Sequence, residues 1–296
     1  MRMCQYANVK IIRYNSSKFV NMKTKNFISL FILFLFSTSI YAGKTEKIVI
    51  LHTNDTHSQV EPNKADMGGY ARRLGKINEI RGKEKNVLLV DAGDFSQGSP
   101  YFNFYNGRVE IEAMNKMSYD AVTLGNHEFD NGLDTLAVVM RMAKFPFVVA
   151  NYDVNATPLQ GLVKPYIILN KFGVKIGIFG IGVQPQGLIF QKNYKGLIYT
   201  DPVKKAVETS DYLKNMEKCD LVICLSHLGA SNDNGNPTDW DVAKASTNLD
   251  IIIGGHSHSL IENRTEPNAV GKSVIVAQMA KSGVFLGRID LTFEKK

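Results

Sequence analysis

"YDAVTLGNHEFDNG", residues 119–132, opens as a β-strand and closes as something else. Val122 and Leu124 read as core positions. Gly125 then breaks the run, and Asn126, His127, Glu128 and Asp130 crowd into five positions. Solubility does not call for an amide, an imidazole and two carboxylates at the end of a buried strand. A reactive site built at that end does.

The same arrangement recurs along the chain. "KIVILHTN" (47–54) leads to Asp55 and His57, and "NVLLVDAG" (86–93) to Asp94. "DLVICLSH" ends on His227, and "LDIIIGGH" on His256, with His258 two residues on. If these five strand ends meet at one edge of a sheet, about seven metal-type ligands converge there. An extended backbone would point Asp55 and His57 the same way, and likewise His256 and His258. Glycines at 93, 125, 254 and 255 would let the chain turn beside the ligands. Seven N and O donors are too many for one tetrahedral site, and no Cys joins them. Sharing one carboxylate divides them into two sites of four contacts each. Two ions about 3.5–4 Å apart can hold a bridging hydroxide and clamp a phosphoryl group.

The ordered set D-x-H, G-D, G-N-H-E, H and G-H-x-H resembles the calcineurin-like metallophosphoesterases. "ILHTNDTH", "DAGDFSQGSP" and "GNHEFDNG" are similar to the 5′-nucleotidase branch, which includes the UDP-sugar hydrolases, and the likeness runs from 47 to 293. The resemblance implies that Asp55, His57 and His258 bind one metal, with Asp94 bridging, and that Asn126, His227 and His256 hold the second. It implies His127 as the catalytic imidazole and Asp130 as the carboxylate that orients it. The position of His258 is often Gln in that family, so His here bears on metal preference. Mixed N and O ligands suit Mn, Zn, Fe or Co. The implied function is two-metal hydrolysis of phosphate esters, 5′-nucleotides or related compounds, by attack of a metal-bridged hydroxide. A 2′,3′-cyclic nucleotide phosphodiesterase would use the same metals. The reading from another class is a non-catalytic metal-binding module on the cell surface. The His127–Asp130 pair argues against that module, because metal binding needs neither residue.

Strands and helices alternate in the first half. "GGYARRLGKINEIRG", "RVEIEAMNKM" and "GLDTLAVVMRMAK" read as helices; "YDAVTL" and "PFVVANY" read as strands. "YIILNKFGVKIGIFGI" (166–181) predicts a hairpin turning near residues 171–173. "DPVKKAVETSDYLKNMEK" is a helix with Pro in its first turn. Thr238 and Asp241 give a capping box ahead of a short helix. "SVIVAQM" and "FLGRIDLTF" are expected to close as a β pair. The expected fold is α/β, two packed mixed sheets with helices outside, the metallophosphoesterase-like α-β-β-α sandwich. "GIGVQPQG" (180–187) does not have the glycine spacing of a dinucleotide loop.

Residues 1–42 stand apart. Lys23 and Lys25, the apolar run "FISLFILFLF" (27–36) and "STSIYA" have the order of a secretory signal cut after Ala42. Met22 then reads as the start, with 1–21 an upstream extension. An uncleaved anchor is the alternative, but the run is shorter than the roughly 20 residues of a span. The expectation is a leader over 1–42 and one catalytic domain over 43–296, periplasmic or secreted, with no stable membrane span once the leader is cut. The leader takes six of the 35 basic residues and no acidic ones, leaving 29 basic against 28 acidic. That balance gives no case for a nucleic-acid partner. Cys219 and Cys224 bracket a strand, about 16 Å apart at roughly 3.3 Å per residue, beyond disulfide reach.

Several polar residues have a plainer reading. His52 lies three positions before Asp55 and is expected to face away from the site. Glu128 reads as a helix-start carboxylate. Asn151 is a turn former or a substrate contact. Trp240 is a packing anchor, and the polar loop 228–240 a connection bordering the substrate. Members of the family usually continue into a second domain that contacts the nucleoside, whereas this sequence stops at Lys296. The expected partners are therefore a phosphorylated small molecule and a separately encoded C-terminal-type nucleotidase domain.

Overall fold

The computed structural model describes residues 45–231 and 235–294. The leader assigned to 1–42 lies outside the described residues. Among the described residues there are fourteen strands and six α-helices. The strands are β1 Thr45–Thr53, β2 Val87–Asp91, β3 Ala121–Val122, β4 Phe147–Val148, β5 Tyr152–Asp153, β6 Val163–Lys164 and β7 Tyr166–Lys171. They continue with β8 Val174–Ile181, β9 Ile198–Tyr199, β10 Leu221–Ser226, β11 Ile251–Gly254, β12 Leu260–Pro267, β13 Ser273–Met279 and β14 Gly287–Glu294. The helices are α1 Tyr70–Lys83, α2 Pro100–Tyr105, α3 Arg108–Met117, α4 Gly132–Met140, α5 Pro202–Asp211 and α6 Asp239–Ala245.

One sheet has the order β14-β1-β2-β3-β4-β6 and the other β12-β13-β11-β10-β8-β7. Each is mainly parallel with antiparallel edges: β1 with β14, and β7 and β12 with their neighbours. This is the four-layer sandwich the sequence predicts. Side-chain alternation shows why the strands are apolar without a break. From β1, Val49 and Leu51 pack outward with Ile77 and Ile80 of α1 and Ile111 and Met114 of α3. Ile48 and Ile50 point the other way and meet Ile176, Ile223 and Ile253 of the second sheet. The far face of that sheet, with Val222, Ile252 and Val276, packs on Ala206 of α5 and Val242 of α6. A strand covered on both faces has no use for polar alternation.

The hairpin turns where expected, and α3 spans the residues read as a helix. The capping box is present: Thr238 accepts from the Asp241 amide, and Asp241 returns a bond to the Thr238 amide. "YDAVTL" and "PFVVANY" form only two-residue ladders at β3 and β4. Cys219 and Cys224 are buried free thiols. No helix among the described residues is long and apolar enough to cross a membrane.

One expected pairing is corrected. "SVIVAQM" and "FLGRIDLTF" do not pair with each other. β13 lies between β11 and β12 in the second sheet, whereas β14 pairs with β1 at the edge of the first. The segment between them crosses the sandwich, so each strand satisfies its backbone in a different sheet.

Candidate metal centre

The nine residues singled out at the strand ends come together at one end of the sandwich. Three of the five segments follow β1, β2 and β3 of the first sheet. The other two follow β10 and β11 of the second. The site therefore bridges both sheets instead of lining one edge. Asp55, His57 and His258 place ligand atoms within 4.8 Å of one another, as do Asp94, His227 and His256. Asn126 joins the second group, its Oδ1 3.0 Å from His256 Nδ1.

The route by which they converge differs from the expected one. Asp55, His57, Asp94, His256 and His258 all have φ between 44° and 68°. They sit in left-handed turns past the strand ends, so extended alternation does not aim them. Such conformations cost of order 1 kcal/mol or more for non-glycine residues and persist only where surroundings impose them. Two glycines make room. A Cβ on Gly93, which has φ 88°, would lie 2.5 Å from the Gly125 nitrogen. A Cβ on Gly125 would run into Asp94 Oδ1 and His227 Nε2.

The donor chemistry fits cations. His227 is fully buried, and its Nδ1 lies 2.7 Å from the Ala92 carbonyl, which fixes the proton on that nitrogen. Its Nε2 is buried without an aligned hydrogen bond, 3.0 Å from Asp94 Oδ2. Burial lowers the His227 pKa, but Asp94 outweighs it and raises the value to about 10, so the gap between Nε2 and the carboxylate draws positive charge, whether a proton or a shared cation. His57 Nε2 and His258 Nε2 lie 2.9 Å apart, and His258 Nε2 is 3.6 Å from Asp55 Oδ1. Burial pushes the pKa of both His57 and His256 down to about 4 and lowers that of His258. These rings are therefore held neutral, the form that ligates metal.

His127 and Asp130 stand beside the ligands, about one-third exposed, with Nδ1 2.8 Å from Asp130 Oδ2. Burial lowers the His127 pKa, but the Asp130 hydrogen bond opposes it and the net shift is upward. The ring can carry a proton near neutrality.

The remaining residues sort clearly. His52 faces away as expected. It is buried against Gly287 of β14, with neither ring nitrogen hydrogen-bonded. The Asn151 side chain is fully buried and bonds both the amide and the carbonyl of Gly182. Trp240 anchors its loop, donating from Nε1 to the Ala230 carbonyl.

Glu128 lies in the first turn of a short 3-10 helix, His127–Phe129, as its helix-start reading has it, but its carboxylate does more. Its buried carboxylate accepts the backbone N–H of Asp94, Ser96 and Gly125 at 2.9, 3.0 and 2.7 Å. It ties the turn after β2 to the turn after β3. Desolvation, then nearby Asp94, lifts its pKa to about 7. No sequence spacing signals such a role, since its partners are backbone amides. Glu128→Ala would strand three buried donors at about 1–3 kcal/mol each. Urea unfolding is expected to show a loss of about 3 kcal/mol or more, and a loss under about 1 kcal/mol would mean the turns hold without it.

Comparison with known proteins agrees with this geometry. Residues 48–260 match the family model described as calcineurin-like phosphoesterase. The chain belongs to that family. It is 33% identical over 286 residues to the trifunctional nucleotide phosphoesterase protein YfkN of Bacillus subtilis, covering 84% of this chain and 18% of that protein. It is also 33% identical over 290 residues to the snake venom 5′-nucleotidase of Crotalus adamanteus, covering 89% of this chain and 48% of the relative. The crystal structure of a 5′-nucleotidase precursor from Thermus thermophilus superposes with a TM-score of 0.73 at 30% identity, over 83% of this chain and 51% of that one. The structure of calcineurin-like phosphoesterase YfkN from Bacillus subtilis gives 0.72 at 30% identity, over 86% and 87%. The chain thus spans about half the length, or less, of the curated relatives it matches.

Proposed function

We propose that this calcineurin-like phosphoesterase hydrolyses phosphate monoesters, 5′-nucleotides among them, with two divalent ions. Asp55, His57 and His258 would hold one ion, Asn126, His227 and His256 the other, and Asp94 both. The observation that carries this reading is the His127–Asp130 pair, 2.8 Å apart, set beside two ligand groups. When bound, the ions supply Lewis-acid charge to the phosphoryl group and an activated water. His127, poised by Asp130, gives its proton to the leaving oxygen and offsets the charge that builds there. Asp94 keeps the His127 backbone in place, accepting its N–H at 2.9 Å.

The 5′-nucleotidases named above support a nucleotide as substrate. The leader pattern over 22–42 supports export to the periplasm or the medium. A catalytic domain over 43–296, with base recognition supplied by a separate domain or chain, completes the proposal. The aromatic pairs outside the imidazole cluster include core contacts such as Phe145–Phe147 at 5.3 Å, which cannot stack on a base.

The test compares an aryl phosphate with a nucleoside monophosphate on this chain, each with and without chelator. Both are expected to turn over, with kcat/KM values within about 10³-fold, or roughly 4 kcal/mol, and chelation should abolish both. Chelator-resistant turnover would sink the metal reading. A larger nucleotide preference would mean that this chain reads the base itself.

A further inference from the structure

β13 contributes no candidate ligand, yet its C-terminal end touches both loops that carry the Asp55–His57–His258 group. Gln278 is fully buried there. Its Oε1 accepts the Ser259 amide at 2.6 Å and the Ser257 hydroxyl at 2.9 Å, and its Nε2 donates to the Gly255 carbonyl at 2.8 Å. All three partners flank the histidines, at 255, 257 and 259. Gripping the alternate residues leaves His256 and His258 to the site.

Asn54, 1% exposed, does the same for the other loop. Its Oδ1 accepts the Met279 amide at 2.7 Å. Its Nδ2 donates to the Ala280 carbonyl at 2.8 Å and to Asp55 Oδ2 at 2.6 Å. Two backbone bonds close the arrangement: Ala280 N–H to the Ser259 carbonyl at 2.9 Å, and Ser282 N–H to the Asp55 carbonyl at 2.7 Å. The two loops also meet directly, with the His256 amide 3.0 Å from Asp55 Oδ1.

We propose that Gln278 and Asn54 are positioning residues for the metal centre, using the end of β13 as a common bracket that sets the distance between the 54–58 and 255–259 loops. The inference rests on the two-ion reading above. A carboxamide suits both positions because each must donate and accept at once. Both loops carry left-handed residues and cannot rely on strand ladders to hold their shape. The two amides have different reach. The Gln278 loop carries His258 of one ligand group and His256 of the other, whereas Asn54 holds only Asp55.

The experiment is calorimetric titration of the chelator-stripped full chain with Mn²⁺, together with melting temperatures before and after loading. Wild type is expected to take up two ions. Gln278→Leu should weaken both steps, and Asn54→Ala only one, by about 10–100-fold as for other residues that orient ligands. In both variants the rise in melting temperature on loading should shrink. A merely structural role would instead lower the stripped and loaded melting temperatures equally, which would overturn the proposal. So would binding constants within about threefold of wild type, against the 10–100-fold expected. If Gln278→Leu does not fold, Asn54→Ala decides alone, and unchanged Mn²⁺ binding in it overturns the bracket. Wild type that takes up no Mn²⁺ removes the two-ion reading and the bracket with it. Two ions bound equally well by wild type and variants remove the bracket only.

Discussion

Alanine at position 127 is expected to leave both ions bound and to lower kcat by about 10²–10⁴-fold, the usual contribution of a general acid. Metal content per chain and turnover of an aryl phosphate, measured on one preparation, decide it. The imidazole is committed to Asp130 through Nδ1, while its backbone N–H bonds Asp94 Oδ1. Alanine removes the ring and keeps that backbone bond. The rival outcome has a definite origin. A ring nitrogen of His127 lies within 4.8 Å of ligand atoms of His57 and Asp94. Loss of an ion from His127→Ala would therefore make this ring a ligand and leave the leaving oxygen without its proton donor.

Asp94→Asn should empty both ion positions, whereas His57→Ala should empty mainly one. Asp94 is 1% exposed and lies between the two ligand groups, with Oδ2 3.0 Å from His227 Nε2 and Oδ1 on the His127 amide. An amide there halves the oxygen donors and removes the charge that both ions share. His57 belongs to the Asp55 group and has no contact of this kind with His227. Ion counts by elemental analysis separate the two cases. Equal losses in the two variants would mean that Asp94 does not bridge.

The convergence of the candidate ligands was legible because each strand end stops on a residue that a core would not tolerate. Asp94, His227 and the two histidines of "GGHSH" each follow an apolar run. The sandwich was legible for a related reason, since runs such as "DLVICL" are apolar on both faces and demand cover on both. The turns were harder to read. Whether a residue past a strand stays extended depends on its partners, and the left-handed Asp55 and His57 donate their amides to the Gly93 and Asp94 carbonyls, far away in the chain. Glu128 escaped because backbone amides leave no mark in a sequence. Gln278 did leave one, as an amide inside the otherwise apolar "SVIVAQM". The misjudged pairing of β13 with β14 came from their adjacency in sequence. A strand pairs with whatever edge is open, and the edge open to β14 was β1.

That crossing also sets an order of assembly. β1 and β14 pair from Thr45 with Glu294 to His52 with Gly287, so the first strand described keeps one side of its backbone unpaired until the last one arrives. The Asn54 contact to Met279 spans 225 residues. During synthesis, Asp55 and His57 wait until β13 and the residues after it have been made before the segment that holds their loop exists. The candidate cluster can close only once residues 278–294 have been made, so a product stalled before them lacks the contacts that fix the Asp55–His57 loop.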